Sequence, residues 1–151
     1  MDEIDVKLLH LLSEDAGRTS TELVPDLNLS IPAINKRIAR MKASGQISRV
    51  TILTEPNLVG KPLIAYVMLV LRRFSQKKEL LDYVESDIDV LECYAITGEY
   101  DFILKICARD IDALESKLLY LKNSCGVSKS NTLLTLMRHK FTPSPLPDKK
   151  A

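Results

Sequence analysis

No stretch of this 151-residue chain is apolar for the ~18 residues needed to span a bilayer, so no membrane partner is expected. Acids begin at Asp2 and no small-residue cleavage site follows, which argues against a secretory leader and makes a cytoplasmic location the expectation. Cysteine is scarce. Cys93, Cys107 and Cys125 are odd in number and widely spaced, with no CxxC pair among them, so reduced thiols are expected in place of a disulfide framework or metal site. Histidine is scarcer still: His10 and His139 give little material for His-based catalysis or metal binding. No catalytic residue, metal or cofactor is therefore expected, and the chain is read as a binding protein, not an enzyme. A last absence is local: no acid occurs between residues 29 and 50.

That local absence has a counterpart. Residues 1–28 hold Asp2, Glu3, Asp5, Glu14, Asp15, Glu22 and Asp26 against Lys7 and Arg18. Residues 29–50 hold Lys36, Arg37, Arg40, Lys42 and Arg49. The near-zero total of +1 hides a net −5 followed by a net +5, and a polyanion responds to local sign more than to the total. Within the basic stretch, Ile34, Ile38 and Met41 fall at i, i+4 and i+7, one apolar helical stripe. Ala33, Lys36, Arg37 and Arg40 repeat on another side. Ser30 is placed to cap this helix through its hydroxyl, Pro32 fits the first turn, and Gly45 suits the left-handed stop.

Two more helices precede it. The first is expected over roughly 2–13, with Ile4, Leu8, Leu11 and Leu12 inside and Asp2, Glu3 and Asp5 at its positive end. Thr19-Ser20-Thr21-Glu22 has the form of a capping box for the second. Asn28 can supply the turn into Leu29-Ser30. Helix, short turn, basic helix is a helix-turn-helix layout, and a helix with one buried and one cationic face suits a DNA groove. Ile47, Val50, Ile52 and Leu53 predict a short extended segment after it. Residues 54–62, with two prolines and a glycine, read as a linker.

The second half alternates strand and helix signals: strand 63–72, helix 77–86, strands 90–97 and 102–108 around Gly98-Glu99-Tyr100-Asp101, helix 111–123 and strand 127–138. The order βαββαβ predicts a four-stranded antiparallel sheet with two helices on one face. The fold class is thus α+β, with domains at 1–53 and 63–140 and a flexible proline-rich tail over 141–151.

The whole chain resembles the Lrp/AsnC family of transcription regulators. The likeness rests on Asp5-x-x-x-Leu9-x-x-Leu12, Asp15-Ala16, Glu22-Leu23, Leu29-Ser30 through Arg37-Ile38-x-Arg40-Met41 to Gly45-x-Ile47, Pro56-x-x-x-Gly60-x-Pro62-Leu63-x-Ala65-Tyr66-Val67, and Glu92-Cys93-Tyr94-x-x-Thr97-Gly98-Glu99-Tyr100-Asp101. The resemblance implies a winged or plain helix-turn-helix domain that binds double-stranded DNA as a dimer. It also implies a ferredoxin-like C-terminal domain that pairs into homodimers, assembles into octamers or other rings, and binds a small effector, usually an amino acid. Carried over, the effector site falls on Thr97, Gly98, Glu99, Tyr100 and Asp101, with Ser128, Lys129, Ser130, Asn131 and Thr132. An α-amino acid needs donors for its carboxylate and acceptors for its ammonium, and Glu99 or Asp101 is the expected ammonium partner. The DNA-binding candidates are Ser30, Ala33, Asn35, Lys36, Arg37 and Arg40, with Asn35 or Arg37 as base readers and the cations on phosphate.

Pro25 departs from the family pattern, as does Val24 where a smaller residue is usual. A proline six residues beyond the Thr19 cap removes a hydrogen bond to the Thr21 carbonyl, with a typical interior cost of ~3 kcal/mol, so the second helix is expected to kink or start late. Two further readings stay open: an amino-acid-binding assembly module that no longer reads DNA, and a sirohaem-decarboxylase-like enzyme, which the two histidines disfavour.

Overall fold

A computed structural model describes residues 1–148, and the last three tail positions lie outside the described residues. The chain forms two compact units. The first is Met1–Ile52 joined by the C-terminal residues from Lys140, and the second is Leu53–His139.

The first unit holds α1 (Glu3–Glu14), α2 (Ser20–Leu27) and α3 (Ile31–Ala43). Helix α1 begins in a capping box: the Asp5 amide donates to Asp2 Oδ1 at 2.9 Å and the Asp2 amide returns a bond to Asp5 Oδ2 at 3.2 Å. The predicted box at α2 forms as well, with the Thr19 amide on Glu22 Oε2 at 2.6 Å and the Glu22 amide on Thr19 Oγ1 at 3.3 Å. Helix α2 therefore starts directly after its cap, not late, and runs through Pro25 to Leu27. Thr21 and Pro25 are both exposed, so water can serve the carbonyl that the proline leaves without a donor. Asn28 takes the left-handed turn at φ 54°, and Gly45 does so after α3 at φ 77°. Ser30 occupies the α3 N-cap, but its hydroxyl makes no capping bond, contrary to expectation. Leu8, Leu23, Leu27, Ile34 and Met41 form the buried core, with Ile4, Leu11, Leu12, Val24 and Ile38 packed around it. Each fully buried leucine contributes roughly 2 kcal/mol.

After Gly45 the Ile47 amide bonds back to the Met41 carbonyl at 3.1 Å. The predicted extended segment beyond it is not a strand, and Val50, Ile52 and Leu53 are exposed. A strand needs a neighbour for its amides and carbonyls, and the described residues of this unit offer none. In the tail, Pro147 accepts a hydrogen bond from His10 Nε2 of α1 at 2.9 Å.

The second unit is β1 (Leu63–Leu71), a short 3-10 turn, α4 (Lys77–Ser86), β2 (Val90–Ala95), β3 (Phe102–Ala108), α5 (Ile111–Ser124) and β4 (Val127–Leu134). The strands pair antiparallel in the order β2-β3-β1-β4. Alternation sends Ala65, Val67, Leu69 and Leu71 of β1, and Phe102, Leu104, Ile106 and Ala108 of β3, to the face covered by Leu80 of α4 and Leu114 and Leu121 of α5. The opposite face carries Tyr66, Met68, Tyr94, Ile103 and Leu133. Strand β4 ends at Leu134, four residues before the predicted limit. Among the described residues its one neighbour is β1, where Thr135 donates its amide and its hydroxyl to the Ile64 carbonyl at 2.9 and 3.1 Å and Leu63 alone lies beyond. Strand β2 likewise stops at Ala95, which pairs with the first residue of β3, Phe102.

Candidate functional sites

Helix α3 carries the basic residues, but folding brings the acids of the N-terminus onto them. Arg37 Nη1 donates to Asp2 Oδ2 and to Asp5 Oδ1, both at 2.7 Å. Arg40 Nη2 donates to Asp5 Oδ2 at 2.6 Å. Asp5 is the one buried charged residue among those described, and its side chain is 2% exposed. Burial alone would raise its pKa, but the Arg37 guanidinium and the Asp2 amide outweigh that and hold the carboxyl below its ordinary range. Asp2 is also held low, chiefly by its bond to Arg37, and Arg37 is held high by Asp2 and then Asp5. The −5 and +5 of the sequence thus partly cancel in space.

The other candidates differ. Arg37 is 22% exposed and engaged by two carboxylates, so it ties α3 to α1; the expectation that it reads bases meets a side chain already committed. Arg40 keeps 58% of its side chain in solvent. Lys36 is exposed and forms no ion pair among the described residues. Asn35 is exposed, and its Oδ1 accepts from Ser20 Oγ of α2 at 2.5 Å. Ser30 is exposed and Ala33 half-buried. From the sequence, Asp2 and Asp5 stand at the positive end of α1, and Asp5 also in the family motif, with no tie to α3. The opposed charge blocks were the one signal that some of these acids would meet α3.

The loop between β2 and β3 is the second candidate. Gly98 sits at φ 109°, a conformation that a side chain would strain. Asp101 is woven into the sheet: its amide donates to Leu69 O at 2.8 Å, its carbonyl accepts from the Ile96 amide at 3.0 Å, and its Oδ2 accepts from the Leu71 amide at 2.8 Å. That carboxylate therefore closes the end of β1, which leaves Glu99 as the carboxylate available to an ammonium. Lys129 of β4 reaches the loop, with Nζ 3.2 Å from Glu99 Oε2 and 4.8 Å from the centre of the Tyr100 ring. The Glu99 hydrogen bond, aided by Tyr100, raises the Lys129 pKa. Ser128 Oγ donates to Val70 O at 3.1 Å. Ser130, Asn131 and Thr132 lie opposite Leu69, Met68 and Val67, with Ser130 and Asn131 exposed. Thr97 is exposed at the loop's start. The fold thus gathers Glu99, Tyr100 and Lys129, an anion, a ring and a cation at one sheet end, 29 to 30 positions apart in sequence.

Comparison with known proteins decides the family. The Lrp/AsnC ligand binding domain matches residues 64–145, and the AsnC-type helix-turn-helix domain matches residues 1–42. The chain belongs to the Lrp/AsnC family. It is 27% identical over 142 residues to the HTH-type transcriptional regulator FL11 of Pyrococcus horikoshii, covering 94% of this chain and 93% of the relative. It is 30% identical over 156 residues to the glutamate uptake regulatory protein of Zymomonas mobilis, covering 100% and 95%. Among solved structures, a transcriptional regulator of Neisseria meningitidis in complex with L-Met superposes with a TM-score of 0.91 at 27% identity, covering 97% of this chain and 96% of that one. As an Lrp/AsnC protein the chain is a transcriptional regulator with a helix-turn-helix domain and a ligand-binding domain. No described helix is long and apolar enough to cross a membrane.

Proposed function

We propose that this regulator binds double-stranded DNA through the outer face of α3 and senses an amino acid at the loop between β2 and β3. Lys36 and Arg40 supply the phosphate contacts, and Ser30, Ala33 and Asn35 face the bases. The juxtaposition of Glu99, Tyr100 and Lys129 carries the effector reading. An α-amino acid presents a carboxylate and an ammonium, and it can replace the Lys129–Glu99 pair with one contact to each partner. Thr97, Gly98, Ser128, Ser130, Asn131 and Thr132 complete the polar surround. Relatives that regulate glutamate uptake or bind L-Met support an amino acid over other metabolites.

The open face of the sheet supports self-association. Tyr66, Met68, Tyr94, Ile103 and Leu133 share a face, beside the Lys105–Glu92 pair, that no element among the described residues covers, and a second copy of the sheet can bury it. Dimers then assemble into an octamer or other ring, and the effector acts by binding one assembly better than another. Relatives that are themselves transcriptional regulators favour binding without catalysis.

Titrating the twenty amino acids into the protein by calorimetry, with light-scattering mass read alongside, tests the sensing half. Saturable binding of a subset, weakened by Lys129→Gln, supports it. Heat from none of them contradicts it. One observation favours the alternative of an assembly module that no longer reads DNA: two of the four bases on α3 are already held by Asp2 and Asp5. Equal binding to native and scrambled duplexes would select that alternative.

A further inference from the structure

Asp5 does more than neutralise charge. Its two oxygens are divided between two arginines of the same helix, one turn apart: Oδ1 holds Arg37 and Oδ2 holds Arg40. The two arginines differ in what remains to them. Arg37 bonds to both Asp2 and Asp5 through one nitrogen and is mostly covered. Arg40 gives one nitrogen to Asp5 and keeps 58% of its side chain in solvent, and its guanidinium has no other hydrogen-bond partner among the described residues. A guanidinium has five N–H donors in a rigid fork, so fixing one end fixes the direction of the others. A solvent-open cleft of about 500 Å³ lies against Arg40, lined also by Met1, Asp2, Asp5, Ser44 and Gln46.

We propose that Asp5 is a positioning residue for DNA reading: it holds Arg40 in one orientation so that its remaining donors grip one defined backbone phosphate and set the register of α3. This rests on the DNA-binding reading above. A phosphate is the fitting ligand because Arg40 lies in the last turns of α3, about 10 Å along the axis from Ala33, whereas recognition helices meet base edges with their first turns. Phosphate contacts fix register without carrying sequence themselves, so a misaimed Arg40 harms the sequence-specific complex most. A mobile arginine still attracts any phosphate, and removing the Asp5 charge makes the domain more cationic.

The two effects point in opposite directions, which separates positioning from mere structural support. Anisotropy with a duplex from the gene's own upstream region and a scrambled duplex would be measured for wild type, Asp5→Asn, Arg40→Lys and the double variant. Circular dichroism would check that each retains its helix content. Asp5→Asn is expected to weaken native-duplex binding roughly tenfold while leaving scrambled-duplex binding equal or tighter. Arg40→Lys, which keeps the charge and loses the fork, is expected to lower discrimination alike, and the double variant no further than either single one. A folded Asp5→Asn protein with unchanged discrimination overturns the proposal, as does equal loss on both duplexes. Should Asp5→Asn fail to fold, undiminished discrimination by Arg40→Lys overturns it. A wild type that binds both duplexes equally overturns the DNA-binding reading itself, and this proposal with it, and is recognised before any variant is made.

Discussion

Asp5 and Glu99 are both carboxylates that pair with a cation at a candidate site, yet the first has a side chain 2% exposed and the second 75%. The same pairing chemistry therefore serves different ends. Around Asp5, breaking the contact strands a desolvated charge, so the pair is part of the domain's framework. Around Glu99, both partners sit largely in water, and the pair can be exchanged for a ligand at small loss. Under the proposed function this division is useful: fixed geometry beside the proposed DNA-reading helix, and replaceable contacts at the proposed effector site.

The largest effect is expected from Asp5→Ala. It leaves the mostly covered Arg37 short of one partner and the Asp2 amide short of its acceptor, and should lower the stability of the N-terminal unit by about 3 kcal/mol in urea unfolding. Asp101→Ala in the other unit strands the Leu71 amide and should cost about 1–2 kcal/mol, read as a lower midpoint of the C-terminal transition. That result would show that Asp101 has a structural role in the candidate effector loop.

Acid gives a milder version of the first test. Asp5 has a folded pKa below the ordinary 3.8, so its stabilising contribution is full above the unfolded value and lost as pH falls through the folded one. The N-terminal unit should lose stability below about pH 4, and Asp5→Asn should flatten that limb of the pH profile. The smallest effect on stability is expected at Lys129→Gln, which should leave the melting temperature unmoved at neutral pH while weakening amino-acid binding. Lys129 has a raised pKa, so any stabilisation from its pair persists at lower pH and disappears as pH rises through the folded value, above 10.5.

What could be read from the sequence was mostly local. The capping box of Thr19 and Glu22, the left-handed Asn28 and Gly45, and the bounds of α4 and β3 follow from residues within a few positions of one another. The errors arose where a partner elsewhere decides. Hydropathy carries the last strand to residue 138, but β1 has only Leu63 and Ile64 beyond the Ala65–Leu134 pair, too few to pair with it that far. Pro25 argued against an early start for α2, but the Thr19 box and the burial of Leu23 and Leu27 outweigh one missing bond. The tie of Arg37 and Arg40 to Asp5 spans 32 and 35 positions, and no periodicity reveals it. At the effector loop, the meeting of Lys129 with Glu99 and Tyr100 followed from family resemblance, because residue spacing alone shows only a hairpin turn there.

Whether α3 reads DNA, as proposed above, can be measured by fluorescence anisotropy. Purified full-length protein would be titrated onto a labelled duplex from its own upstream region and onto a scrambled duplex, at two salt concentrations. Tighter binding to the native duplex is expected, with affinity for both falling steeply as salt rises. Equal, weak binding to both duplexes at either salt would contradict DNA reading by α3.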